Sequence, residues 1–477
     1  MINRVRRRLG LIAVGVWLVV VGSTFAVPHG GTQVFLPLVL RSLVIATTTN
    51  LPVSYATYIG DTGNDQAKAV DVDLAGNIVL GGVFVGSNPV ITGIMPGTLL
   101  GGGDGAVVRL AASGQAVSVT RIGASVVDLE VAADGRIVVC GSFGVAVLSA
   151  DASASVWNDG SHGAVKRCAI GSDGTVAAAV NNLVYVYNAA GIPTTTISTG
   201  ATTGDQDAFD MAVFAPNQAV IVTGYQQKTS TLQVAFLRAW NYSGAAQWTS
   251  YDFSASAITA ANLGADTRGK RVAVGRDGNI YFAGSINGGT GASIFARDPK
   301  NIGATLGNRE VKTDNYNTAT NVGSISMVWY GRYNPINGAL LKGQSALTRL
   351  DNGNGNSLGI KSITADEAGR VYLVGDAYYQ MQNRAARQVA GITVGSYAGG
   401  EGYLWVASAD LTQRHIWTPF TAPGVSAGGS AVQAVAVRNG VVALVSTVSS
   451  GKLITTVGAA QPTPSTLPDG YLAIWRQ

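Results

Sequence analysis

Hydrophobic and polar positions alternate along this chain in short bursts, not in long helical stripes. The clearest unit is 60–84, GDTGNDQAKAVDVDLAGNIVLGGVF. It reads as a polar loop, an apolar-rich strand over 67–73, a tight turn at 74–77 and a second strand over 78–84. Two such runs bounded by Gly, Asn and Asp are the signature of a hairpin. After the first 50 residues no window keeps an apolar spacing of three and four, so almost no helix is expected.

Versions of the unit recur, and a fixed self-similarity marks a repeat architecture. Alignment on the turn gives AVDVDLAGNIVLGG, DLEVAADGRIVVCG, RCAIGSDGTVAAAV, DMAVFAPNQAVIVTG, RVAVGRDGNIYFAG, SITADEAGRVYLVG and AVAVRNGVVALVS. Their turn residues are Gly76, Gly135, Gly174, Asn217, Gly278, Gly369 and Gly440. Each copy is followed by a third strand, such as 106–110, 145–149 or 471–475, and then by a fourth. The expected fold class is therefore all-β: a seven-bladed β-propeller of four-stranded blades. The fifth copy carries a polar insertion over about 287–324, read as an exposed loop. The last copy ends after its third strand, while 51–59 resembles an outer strand with no blade of its own. Placing that N-terminal outer strand on the last blade closes the ring and removes an exposed edge.

The residues Gly63-Asn64-Asp65, Val70-Asp71-Val72-Asp73, Ala75-Gly76-Asn77 and Gly81-Gly82 carry a resemblance. This run resembles the bacterial seven-bladed β-propeller repeat family, SBBP. The fifth and sixth copies are similar to it more faintly, and the others lack most of the polar loop. The resemblance implies a secreted or cell-surface propeller, often part of a larger envelope or adhesive protein. It implies no catalytic motif.

The first residues change the picture of location. Arg4, Arg6, Arg7 and Arg8 precede an apolar run over 9–22, and Ser23-Thr24-Phe25-Ala26 follows. A basic flank, an apolar core and small residues define a signal peptide over 1–26, with export to the cell surface or beyond as the expectation. An uncleaved membrane anchor is the alternative. Residues 27–50 are expected to form an apolar linker or docking segment and 51–477 the propeller. The apolar piece within the former, 34–46, is too short and too broken by Pro37 and Arg41 to span a bilayer. A membrane contact is thus expected only through an uncleaved leader or through 34–46.

Removing the four leader arginines lowers the net charge from +5 to +1. So neutral a chain lacks the cations that a row of phosphates demands, which excludes nucleic acid as the expected partner.

Catalytic signals are sparse. His29, His162 and His415 have no metal-ligand spacing, and no nucleophile elbow, zinc-protease motif or phosphate loop is present. Three loops rich in oxygen ligands, 61–65, 205–210 and 351–356, make calcium the one cofactor to consider, with Asp61, Asp65, Asp205, Asp207 and Asp351 as its ligands. Ordinary turns use the same residues and are the favoured reading. Export permits a disulfide between Cys140 and Cys168, although the apolar pattern around each favours buried thiols.

One charge pattern emerges from the alignment. Seven residues before each turn residue stand Ala69, Asp128, Arg167, Asp210, Arg271, Ser362 and Gln433. Asp128, Arg167, Asp210 and Arg271 thus alternate in sign at the start of consecutive innermost strands. They are expected either as ion pairs that fix blade order or as a channel rim that binds a charged ligand, with the structural role favoured. The functional expectation is a non-catalytic surface scaffold, with envelope polymer, carbohydrate or surface protein as partner. Tyr316, Tyr330, Tyr333, Tyr378 and Tyr379 are its candidate stacking aromatics. The alternatives are a propeller lyase or hydrolase with a rim acid–base pair, and a subunit of a surface layer or filament.

Overall fold

The computed structural model describes residues 49–477 except 206, 319–320, 398, 425–428 and 466–467. The expected signal peptide and the 34–46 segment lie outside the described residues.

Inner and outer strands differ in composition because they differ in what covers them. The middle strands Ile137–Gly141 and Gly144–Leu148 are apolar throughout and buried at every position. The outer strand Ser155–Asp159 alternates between half-buried and exposed positions. A strand with neighbours on both faces needs unbroken hydrophobicity, whereas one facing water needs it on one side only. Tight glycine turns join the first two strands: Gly76, Gly135, Gly174, Gly278, Gly369 and Gly440 all have positive φ, from +74° to +89°. Asn217 does not fit this series. It ends a short 3-10 turn, Ala215–Asn217, and the left-handed position falls on Gln218.

The sheets pack as a β-propeller, with their inner strands arranged round a common axis. In order these are Gln66–Val72, Val126–Val131, Arg167–Ile170, Asp210–Phe214, Asp266–Val274, Ser362–Ala365 and Ser430–Arg438. Each touches the next, and Ser430–Arg438 returns to touch Gln66–Val72. The strand Tyr55–Ile59 runs antiparallel to Asp469–Arg476, with Tyr58 opposite Tyr471.

The expected plan of seven four-stranded blades is corrected by the sheet count. Among the described residues the chain forms eight sheets of three or more strands. Six have four strands and one has five, because Gly97–Leu99 adds in parallel to Ala116–Ile122. The eighth is three-stranded, made from Asn50–Leu51, Gln388–Val389 and Ile392–Thr393. These additions have a common physical cause: connecting segments beside exposed sheet edges satisfy their own backbone groups by pairing. Strands of two or three residues leave no periodicity to read, so neither addition was visible beforehand.

The insertion of the fifth copy is also more structured than a polar loop. Ile294 and Phe295 are buried within it, and Phe295 stacks on Trp329 with ring centroids 5.7 Å apart. It contains the ribbon Arg297–Asp298 with Asn301–Thr305. One short α-helix occurs among the described residues, Ala255–Ala260, capped by the Ser254 side chain accepting from the Ala257 amide.

Candidate functional site

The inner strands converge on a cavity of about 470 Å³ at one mouth of the axial channel. Asp128, Arg167, Asp210 and Arg271 all line it. The geometry explains their alternation. Asp128 accepts from the amide of Cys168 at 3.2 Å, and Asp210 accepts from the amide of Val272 at 2.9 Å. Each acid thereby grips the inner strand of the following sheet. The same latch recurs one layer deeper, where Asp71 accepts from the Val131 amide at 2.8 Å and Glu130 from the Ile170 amide at 3.0 Å. A buried carboxylate that accepts backbone N–H groups is a strong interaction because one partner is charged.

The two arginines complete the rim. Arg167 Nε lies 3.6 Å from Asp210 Oδ1. Arg271 donates to the carbonyls of Asp207 and Lys270, at 2.8 and 2.6 Å, and to that of Lys361. Below them Arg276 crosses the axis to Asp71, at 2.9 Å, and so partitions the channel beneath the mouth.

Enclosure shifts the charges. Burial pushes the Asp128 carboxyl up to about 6, against the pull of Arg167. Burial and the neighbouring Asp71 push Glu130 up to about 7. Arg271 is drawn down to about 10 by burial and by the like charge of Arg167. Loss of water disfavours the charged form of each group.

The rim position assigned to Gln433 is corrected. Ala69 pairs with Gly81, whereas Ala434 pairs with Val445, so the last hairpin is one residue shorter. Gln433 falls in the bulge between Val432 and Ala434, one step nearer the mouth.

The proposed calcium ligands are engaged by protein groups, Asp61 by the Thr62 amide at 2.7 Å. Asp65 accepts from the amides of Asp61 and Val85, at 2.8 and 2.7 Å. Asp205 sits between Arg268 and Lys270, at 2.6 and 2.7 Å. Asp207 meets Lys361 at 2.8 Å, and Asp351 accepts from the Tyr379 hydroxyl at 2.6 Å. Cys140 and Cys168 are both free and buried, and their sulfurs and the Asp128 carboxylate lie within 4.8 Å of one another. Of the candidate stacking tyrosines, Tyr330 and Tyr333 are fully buried, so they serve packing. Tyr378 alone among the five is strongly exposed, at 46%.

Sequence reasoning missed a ring of lysines one step nearer the mouth than the rim charges: Lys68, Lys166, Lys270 and Lys361. The signal was present, since each directly precedes Ala69, Arg167, Arg271 or Ser362.

The molecule is thus a β-propeller with a charged mouth on its axis. No family model matches the sequence, and no curated protein matches it. Among solved structures it is similar to the WD40 repeats of RRP9, at 10% identity and a TM-score of 0.46, over 88% of this chain and 98% of that one. It is similar to U3-55K at the same identity and score, over 88% and 99%. A chain of the mitotic checkpoint complex aligns at 11% identity and a TM-score of 0.45, over 94% and 99%.

Proposed function

We propose that this protein is an exported, non-catalytic β-propeller that works at the cell surface as a binding or structural scaffold, with the channel mouth as its contact face. One observation carries the reading: every inner strand contributes a lining residue to the mouth, from Lys68 and Asp128 through Arg167, Asp210 and Arg271 to Ser362 and Ala434. A concave site built jointly by rigid strands is preorganised for recognition. Asp128, Asp210 and Arg271 are latched to backbone amides and carbonyls, which suits a fixed surface. The arginine-rich leader and the resemblance of 60–84 to SBBP repeats support export and a surface role. Envelope polymer, carbohydrate or a surface protein are the partners this location offers. Cell fractionation with protease treatment of intact cells tests it. The mature chain is expected outside the cytoplasm and open to protease, and retention in the cytoplasm would overturn the reading.

A second reading is favoured by one specific feature, the Asp128 carboxyl near 6 beside Arg167. A carboxyl in that range can donate or accept a proton near neutral pH. It would serve a lyase or hydrolase acting at the mouth. Turnover of an envelope polysaccharide by the wild type, abolished in Asp128→Asn, would establish it; equal products from both proteins would remove it.

A further inference from the structure

The lysine ring is not uniformly neutralised, and the exception points to a ligand. Four inner strands place a lysine at one register. Lys68 and Lys270 occupy bulges before Ala69 and Arg271. Lys166 and Lys361 precede Arg167 and Ser362, each donating its backbone N–H to the strand opposite, at 3.1 and 2.8 Å. A bulge turns an extra side chain out of the ladder, here towards the mouth.

Two of the four have acidic partners. Lys270 meets Asp205 at 2.7 Å, and Lys361 meets Asp207 at 2.8 Å. Lys68 and Lys166 have none: no hydrogen bond or ion pair among the described residues engages either ammonium. The strand between them carries Val127 at the equivalent bulge, not an acid. Both lysines line the 470 Å³ cavity with Arg167, Arg271 and Lys361, so five cations face three carboxylates there, Asp128, Asp207 and Asp210. Those carboxylates are already committed to Cys168, Lys361 and Val272. Lys68 also loses proton affinity, through burial and then through repulsion by Lys166. Like charges held together in a partly dry cavity cost stability unless something neutralises them.

We propose that the Lys68–Lys166 side of the channel mouth binds a small oxyanion carrying two or more negative charges, either a polycarboxylate or a phosphate. This rests on the reading of the mouth as a contact face and names the chemistry of what it contacts. Both ammonium groups donate to the anion, Val127 packs beneath it, and the rim acids keep it from descending the channel. Volumes of roughly 300–1,000 Å³ suit small ligands, so the cavity accommodates such an anion without rearrangement.

The test is calorimetric titration of the full-length protein with citrate and, separately, with inorganic phosphate, at low ionic strength. One-to-one binding of either anion, weakened by added salt, is expected. Tighter citrate binding assigns the carboxylate source, and tighter phosphate binding the phosphate source. Lys68→Gln and Lys166→Gln should each weaken it about tenfold or more, as loss of a charge-assisted hydrogen bond does, while exposed Lys452→Gln leaves it unchanged. Thermal melts of both variants should match or exceed the wild type, because each removes a repulsion. Absence of binding by both anions, or binding by Lys68→Gln and Lys166→Gln as tight as the wild type's, would overturn the proposal. An exported chain that binds neither anion sinks this inference alone, and a cytoplasmic chain that binds citrate sinks only the export reading.

Discussion

Tyr58 and Tyr471 meet edge to face, with ring centroids 5.7 Å apart and ring planes 70° to one another. The contact joins the first long described strand to the last one, between residues 413 apart in the numbering. Tyr58 is fully buried, and its hydroxyl accepts from the Leu453 amide at 2.5 Å. Its removal therefore loses both packing and a satisfied amide. Tyr58→Ala should cost about 3–5 kcal/mol, the range for deleting a buried aromatic ring. Urea unfolding measures it, and a loss below about 1 kcal/mol would show that this strand adds little to closure.

Arg384 and Glu401 form a buried bidentate pair, with Nε and Nη2 each donating at 2.6 Å. Glu401 also accepts from the Thr421 hydroxyl at 2.8 Å. Glu401→Ala should destabilise by about 3–5 kcal/mol, because it leaves a buried cation uncompensated. Arg384→Met combined with Glu401→Met should cost less than Glu401→Ala alone. The double variant unfolding at lower urea than the single would contradict this.

Stability should fall as pH rises from 5 to 8. Asp128 and Glu130 titrate near 6 and 7 in the folded protein, well above the roughly 4 of an unfolded carboxyl. Across that interval the folded chain binds more protons than the unfolded one, so its stability declines with pH. Asp71 and Arg276 face Glu130, and Arg167, Asp210 and Arg271 face Asp128. His415, lowered by burial, acts in the opposite sense, so a variant isolates the carboxyl contribution. The urea midpoint should be higher at pH 5 than at pH 8, and Glu130→Gln should flatten the profile. An unchanged slope in that variant would remove Glu130 from the account.

The two cysteines give a simple chemical readout. Burial raises both thiols above their ordinary range, most strongly Cys168, whose Sγ lies 3.6 Å from the Asp128 carbonyl. A thiol without thiolate character reacts slowly. A thiol reagent should therefore modify neither cysteine in the native protein and both after denaturation. No free thiol after denaturation would mean that Cys140 and Cys168 had formed a disulfide.

Much of the propeller was legible because its inner strands repeat one grammar: an apolar run, then glycine in the left-handed turn. The alternating charges Asp128, Arg167, Asp210 and Arg271 were legible for the same reason, since equal distance from a turn means equal depth in the channel. Reading failed where hairpin length varied. Gln433 and Asn217 were displaced by one residue each, and a step of one along a strand turns a side chain to the other face. Lys68 and Lys270 were missed because bulges break that periodicity at their positions, and Lys166 and Lys361 because they lie just before the first paired residue of their strands. The three-stranded sheet around Asn50–Leu51 and the anchoring of Phe295 on Trp329 depend on long-range contacts that no local pattern encodes.

The central claim, that an anion sits at the Lys68–Lys166 mouth, is tested most directly by diffraction from crystals soaked in selenate, a tetrahedral dianion whose selenium scatters anomalously. An anomalous peak is expected inside the mouth, with oxygens in hydrogen-bond reach of both lysine ammonium groups, and no such peak in Lys68→Gln crystals. A mouth without a peak, or a peak unchanged in Lys68→Gln, would contradict it.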